Sequence, residues 1–286
     1  MDRTLTEVVA CITLDGTDAS RMTQQKEMAL RAVMVAKYLD SRLDKLSVED
    51  VTSLSDFKFK RLKSFESEIV PQLEEKNLIT KKLKLIACDI NYYTAGVEPM
   101  AYIANKDIYQ REVEFLRAEM LEDGEKSLES IIIFSLLKEA GVVNDIFSIR
   151  EQQDISSLLI KEKDNKLHQA ILALDFHSSF SSIASSFIKT KNNLFKNPYL
   201  QGTTMIFPFL DRREAIFIDT IVLGTKFQDR QDAIVDYLQN RGFDAEKCVY
   251  DGLMLLRIDN MLYRTWSTTR TFKLPVQGMA IQPYYN

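Results

Sequence analysis

The side chains most able to do chemistry are few. His168 and His177 are the only histidines among the 286 residues, and they stand nine positions apart. Nine helical steps of ~100° place them on roughly opposite faces, so one helix cannot bring both to a metal ion. Asp164 precedes His168 by four positions, a spacing at which a carboxylate can orient an imidazole for proton transfer. Such pairs also sit inert on solvated helices. Cys11, Cys88 and Cys248 are odd in number and far apart, with no CxxC pairing. They suit a reducing compartment and form no zinc pattern. No GxSxG, HExxH, GxxxxGKS/T or GxGxxG string occurs, which excludes the simplest serine-hydrolase, zincin, phosphate-loop and Rossmann readings. The glutamates of Glu112–Glu125 read as a solvated helix face. No catalytic residue, cofactor or metal is expected, and an enzyme of some other class ranks third among the functional readings.

A second pattern is electrostatic. Between Lys58 and Lys84 stand eight basic residues (Lys58, Lys60, Arg61, Lys63, Lys76, Lys81, Lys82, Lys84) and four acidic ones (Glu66, Glu68, Glu74, Glu75). A helix, a short turn and a basic strand in that order resemble the end of a winged-helix-like module, whose wing lysines reach phosphates. This makes a nucleic-acid-binding regulator, acting through residues 58–90, the alternative function. Lys58, Lys60, Arg61, Lys63, Lys81, Lys82 and Lys84 would be its contacts. The glutamates within the same helix oppose that reading, because a phosphate backbone repels them, so nucleic acid is not the favoured partner.

The third pattern contrasts the two ends of the chain. Before Asn197 lysine outnumbers arginine 19 to 8, and from Asn197 onward arginine outnumbers lysine 7 to 3. The later stretch also holds Trp266 and six tyrosines. Guanidinium and phenol groups are desolvated more cheaply than an ammonium, so arginine, tryptophan and tyrosine concentrate in interface cores. A β-rich domain also uses aromatics for its own core. Arg264, Trp266, Arg270, Tyr284 and Tyr285 are the expected interface residues.

The elements that must position these groups follow from periodicity. Met28, Ala32, Val35, Leu39, Leu43 and Leu46 form one helical stripe, with caps available at Thr17, Asp18 and Ser20. A second helix is expected over Phe59–Lys76, bent or ended near Pro71. Leu83–Ile90 reads as a strand, and helices resume at Lys106–Leu121, Leu128–Ala140 and Ile149–Lys163. Leu172, Phe176, Phe180, Ile183 and Phe187 make a further stripe, flanked by serines. The character changes near Asn192–Pro198. Strands are expected at Thr203–Phe209 and Ala215–Leu223, then a helix at Asp229–Arg241 closed by Gly242 in a Schellman arrangement with Phe243. A hairpin follows around Asp259-Asn260, from Leu253–Ile258 to Met261–Trp266. A third strand is expected over Ser267–Leu274. Pro275 then begins an extended arm whose Met279, Ile281, Tyr284 and Tyr285 need a surface to cover them.

The fold class is therefore α+β: a mainly helical domain over 1–196 and a smaller β-containing domain over 197–286, with hairpin, meander and C-terminal arm. Nine glycines and six prolines exclude a collagen-like or linker-dominated chain. A net charge of −4 excludes a basic coating protein. The first residues lack a basic region followed by an apolar core, and no apolar run approaches the ~20 residues of a membrane span. The leading expectation is a non-enzymatic structural or assembly subunit that contacts protein partners. It would act as a homo-oligomer or in a larger complex, with no membrane, in the cytoplasm or within a virus or phage particle.

Overall fold

The first helix owes its position to its composition. Seven of the ten residues of α1 (Leu5–Leu14) are apolar, and nine of the ten are buried, Glu7 being the exception. A helix apolar all round must lie inside the protein. Thr4 and Glu7 start it with a capping box, and the Asp40 carboxylate accepts the Leu5 and Thr6 amides at 2.8 Å each. The start of α1 is thus tied to the end of α2 (Gln24–Asp40).

The structure is a computed structural model that describes residues 3–56, 59, 61–161, 165–174, 215–223, 230–250, 252–271 and 275–284. After α2 come α3 (Val48–Thr52), α4 (Leu62–Glu75), β1 (Ile79–Leu83), a 3-10 turn at Leu85–Cys88, α5 (Ile90–Tyr93) and β2 (Met100–Ala104). The helices α6 (Lys106–Leu121), α7 (Leu128–Glu139), α8 (Ile149–Lys161) and α9 (Lys166–Leu172) complete the first region. Beyond it lie β3 (Ile216–Asp219), α10 (Thr220–Leu223), α11 (Arg230–Asn240), β4 (Ala245–Tyr250), β5 (Leu253–Ile258), β6 (Met261–Thr271) and β7 (Pro275–Pro283). The fold is α+β. β1 and β2 pair antiparallel, and the other five strands form one antiparallel sheet in the order β3-β7-β6-β5-β4.

Several expectations need correction. The helix capped at Thr17, Asp18 or Ser20 is capped by Thr23 and ends at Asp40 rather than Leu46. A fresh capping box at Ser47 and Asp50 restarts the chain there. Leu43 and Leu46 still pack against the first core, which is why the stripe outlasts the helix. Pro71 does not end α4. The helix is held by buried Phe65, Ile69 and Leu73 on its other side, so one missing amide on the exposed side is tolerated. The strand expected at Leu83–Ile90 is instead β1, ending at Leu83, followed by the 3-10 turn. The expected strand Ala215–Leu223 is split into β3 and the helical turn α10. The two short strands expected over Met261–Leu274 are one strand, β6, through Thr271.

The largest correction concerns the arm. Residues 275–283 form the strand between β3 and β6, with Thr271 opposite Pro275 and Tyr263 opposite Pro283. Met279 and Ile281 are buried in the chain's own core. Pro275 sits at the first position of β7, where a missing amide is harmless, and so starts the strand it was expected to prevent. The serine-flanked helix around Phe180, the change of character near Asn192–Pro198 and the strand at Thr203–Phe209 lie outside the described residues.

Two buried clusters result. One gathers α1, α2, α4, α6, α7 and neighbouring segments. The other gathers β3, α11, β4, β5, β6 and β7, together with Leu85, Ile86 and Cys88 from the turn between β1 and β2. α11 closes as its sequence requires: Gly242 has φ +87°, Phe243 N–H donates to Leu238 O and Gly242 N–H to Gln239 O. That is the Schellman pattern.

Candidate functional site

Strand alternation sorts the expected interface residues onto one face. On β6, Tyr263 lies on the side covered by α11, within the second cluster. The even-numbered Arg264, Trp266, Thr268 and Arg270 occupy the opposite side. Their neighbours across β7 are Gln282, Ala280, Gly278 and Val276. The structure therefore brings Arg264, Trp266 and Arg270 together, and Tyr284 joins them. The Arg264 guanidinium lies 5.4 Å from the Tyr284 ring centre, and Tyr284 packs edge-on against Tyr250 at 6.0 Å. Tyr285 lies outside the described residues.

These groups differ in what they already hold. Trp266 keeps 37% of its surface exposed, and several other large apolar side chains are exposed too, Val249, Leu253 and Met254 among them. Arg270 is engaged internally: its guanidinium lies 4.9 Å from the Phe217 ring centre and 3.4 Å from the Asp89 carboxylate. Phe217 is fully buried, and Gly278 leaves the space for it, because a Cβ there would strike Ile218 O and the Phe217 ring.

Asp89 was not anticipated as a functional residue. It is buried, accepts the Phe217 amide at 2.7 Å and the Asn91 amide at 3.0 Å, and so binds the β1–β2 connection to the edge of the sheet. Beside it the Tyr93 hydroxyl donates to Asp219, and burial, with that carboxylate, holds the phenol well above its ordinary pKa. An aspartate one position before a short helix signals a cap, and only the fold shows that it also serves a distant strand.

A second polar seam joins the regions at the β5–β6 turn. The Asn260 amide donates to Asp15 Oδ1 at 2.9 Å and to Ala104 O at 3.0 Å, while the Ala104 amide donates to the same Asp15 oxygen at 2.8 Å. Lys82 lies 3.8 Å from Asp259. Burial pushes the Asp259 carboxyl up to about 6, opposed by the Asp244 amide and Lys82. A cleft of about 240 Å³ opens beside this seam, lined by Tyr109, Arg117, Tyr250, Arg257, Asn260 and Tyr284 among others.

The expected phosphate contacts are scattered. Lys81 and Lys82 are neighbours on a strand, so they face opposite sides. Lys81 pairs with Glu74 at 3.4 Å and Lys82 with Asp259. Arg61 and Lys63 are exposed at the start of α4, and Lys84 is half-buried. Lys58 and Lys60 lie outside the described residues. The helix–strand–strand order of a winged-helix-like segment exists as α4, β1 and β2. The connection that would be a free wing tip instead carries Leu85, Ile86 and Cys88 into the second core.

His168 is buried on α9, while Asp164 and His177 lie outside the described residues. Burial pushes the Cys88 thiol up to about 11. Among the described residues no three His, Cys, Asp or Glu side chains converge as metal ligands, and no helix is long and apolar enough to cross a membrane. Comparison with known proteins gave no match to a family model, a curated protein or a solved structure.

Proposed function

We propose that the chain is a non-enzymatic assembly subunit that binds protein through the arginine- and aromatic-bearing face of its five-stranded sheet. The observation that carries this reading is Trp266, exposed at 37% on the face that also presents Arg264 stacked on Tyr284. Tryptophan and arginine are enriched at the energetic centres of interfaces, where each buries a large area. The ion pairs of Lys81 and Lys82 support this reading over nucleic-acid binding, since both charges are already answered by carboxylates. A cytoplasmic complex and a virus or phage particle are the settings it proposes.

The test is the native mass of the chain in extract of its source. A complex heavier than one chain is expected, and Trp266→Ala should weaken it by roughly 2 kcal/mol or more, the scale of a central tryptophan, with the far-ultraviolet spectrum unchanged. Recovery as single chains at every concentration overturns the proposal.

A further inference from the structure

A strand whose backbone groups face solvent is a template for another strand, and the five-stranded sheet has three edge stretches to consider. The outer edge of β3 is covered, because the Phe217 amide is held by Asp89. The outer edge of β4 carries Glu246 and Lys247, and Ala245 O accepts from Gln239. The third stretch arises because β5 follows β6 only from Met261 to Tyr263, while β6 runs on to Thr271 beside β7.

The phase of the ladder decides which groups this leaves. Ile258 and Met261 flank the two-residue turn and face each other, so they exchange hydrogen bonds, and the odd-numbered residues of β6 point their backbones towards β5. From Thr265 on, the backbones of Thr265, Ser267, Thr269 and Thr271 find no backbone partner there among the described residues. Ser267, Thr269 and Thr271 are exposed. None of these four carries a charge, and no proline interrupts the stretch, so the usual guards of an edge are missing.

We propose that the edge of β6 pairs antiparallel with the same edge of a second copy of this chain, centred on Thr268. The inference rests on the proposed function, whose face it shares. Only odd residues can exchange hydrogen bonds here, and opposed residues must share a face, so few registers remain. Centring on Trp266 would require Tyr263, whose backbone already serves Leu256. Centring on Ser267 sets Arg264 against the partner's Arg270, and centring on Arg270 sets two guanidiniums face to face. Centring on Thr269 shortens the ladder to residues 267–271. Centring on Thr268 uses the whole stretch: Thr265 opposes the partner's Thr271, and Ser267 the partner's Thr269. On the other face Trp266 opposes the partner's Arg270, twice by symmetry, at the closer, non-hydrogen-bonded type of position. The aliphatic stem of Arg270 then packs against the partner's indole, a favourable cross-strand pair. Phe217 and Asp89 draw the Arg270 guanidinium back over β7 and leave a quarter of the side chain exposed, so the stem that meets the partner is already ordered.

Light scattering on the purified full chain should give twice the mass of one chain. Thr269→Pro removes an edge amide that the β7 ladder does not use, and should weaken the dimer at least 100-fold with an unchanged far-ultraviolet spectrum. Should that variant fail to fold, cysteine pairing decides. With oxidised glutathione supplied, Thr268→Cys in a Cys248→Ser background should form a covalent dimer, whereas Thr265→Cys in the same background should not. A dimer untouched by Thr269→Pro, or one that Thr268→Cys does not link, overturns the proposal. A purified chain of single-chain mass beside a heavier complex in extract also overturns it, yet leaves the proposed function standing; single chains in both overturn both.

Discussion

The two cores are built from different elements. In the first, helices pack on helices, with α1 at the centre, α2 against it from nearby in the chain and α7 from more than a hundred positions away. In the second, β7 lies between β3 and β6, and part of the apolar filling comes from residues 85–88, more than a hundred positions away. The helical core can be read as a run of local periodicities. The sheet core depends also on the pairing and register of its strands, which no single segment displays. A single substitution therefore has different reach in each.

The largest effect is expected where the sheet depends on one residue. Phe217→Ala should cost ~3–5 kcal/mol, the range for emptying a core aromatic site, because Phe217 is fully buried beneath Arg270 and against Gly278. Denaturant titration read at Trp266 fluorescence checks this, and a loss under ~1 kcal/mol would show that the site closes up on its own. Next, Asp15→Ala strips the acceptor shared by Ala104 and Asn260. A loss of ~2–3 kcal/mol is expected for the stranded donors. The melting curve, expected to be single for the parent chain, should separate in this variant into a helical and a sheet transition. If it stays single, the seam is not what couples the cores.

A pH experiment sharpens the same contrast. The folded Asp259 carboxyl titrates near 6 against an ordinary 3.8, so between those values the folded state holds the proton more tightly than the unfolded one. Its contribution is full below about pH 4 and falls away as pH rises to about 6. Asp259→Asn keeps the turn, since asparagine tolerates the positive φ of +50° there. It should be more stable than the parent at pH 7–8, by up to about 3 kcal/mol with the Lys82 attraction already counted, and equal to it near pH 4. A parent-like slope in the variant would assign the pH dependence elsewhere. The smallest effect is local: Thr4→Ala removes the capping box of α1 and should cost ~1 kcal/mol, read as a small fall in the melting midpoint.

What could be read in the sequence follows the same division. The expected Lys106–Leu121, Leu128–Ala140 and Ile149–Lys163 helices match α6, α7 and α8 to within a residue or two at each end, because i, i+4 spacing is a local property. The Gly242 closure and the Asp259-Asn260 turn were equally legible, since both rest on a residue that accepts positive φ. The place of residues 275–283 was not. Met279 and Ile281 announce that they need covering, but an arm on a partner and a strand in the chain's own sheet demand the same composition. Leu85, Ile86 and Cys88 misled for a related reason: their apolar character serves a core that their own strand does not belong to. At the candidate site, alternation along β6 placed Arg264, Trp266 and Arg270 on one face, whereas Asp89 became visible only through contacts 128 and 181 residues away.

The order of the sheet also bears on how the chain is made. Synthesis delivers residues in sequence, at ~5–20 per second, and domains tend to close as they emerge. The helices of the first core can close behind the ribosome, leaving Leu85, Ile86 and Cys88 as an apolar peg with nothing yet to fill. β3 to β6 follow, yet within the sheet β3 and β6 are joined only through β7, the last of the five to leave the exit tunnel. For that interval the nascent chain carries an unfilled peg and two open strand edges, and its need for a chaperone should be greatest just before residue 275 appears.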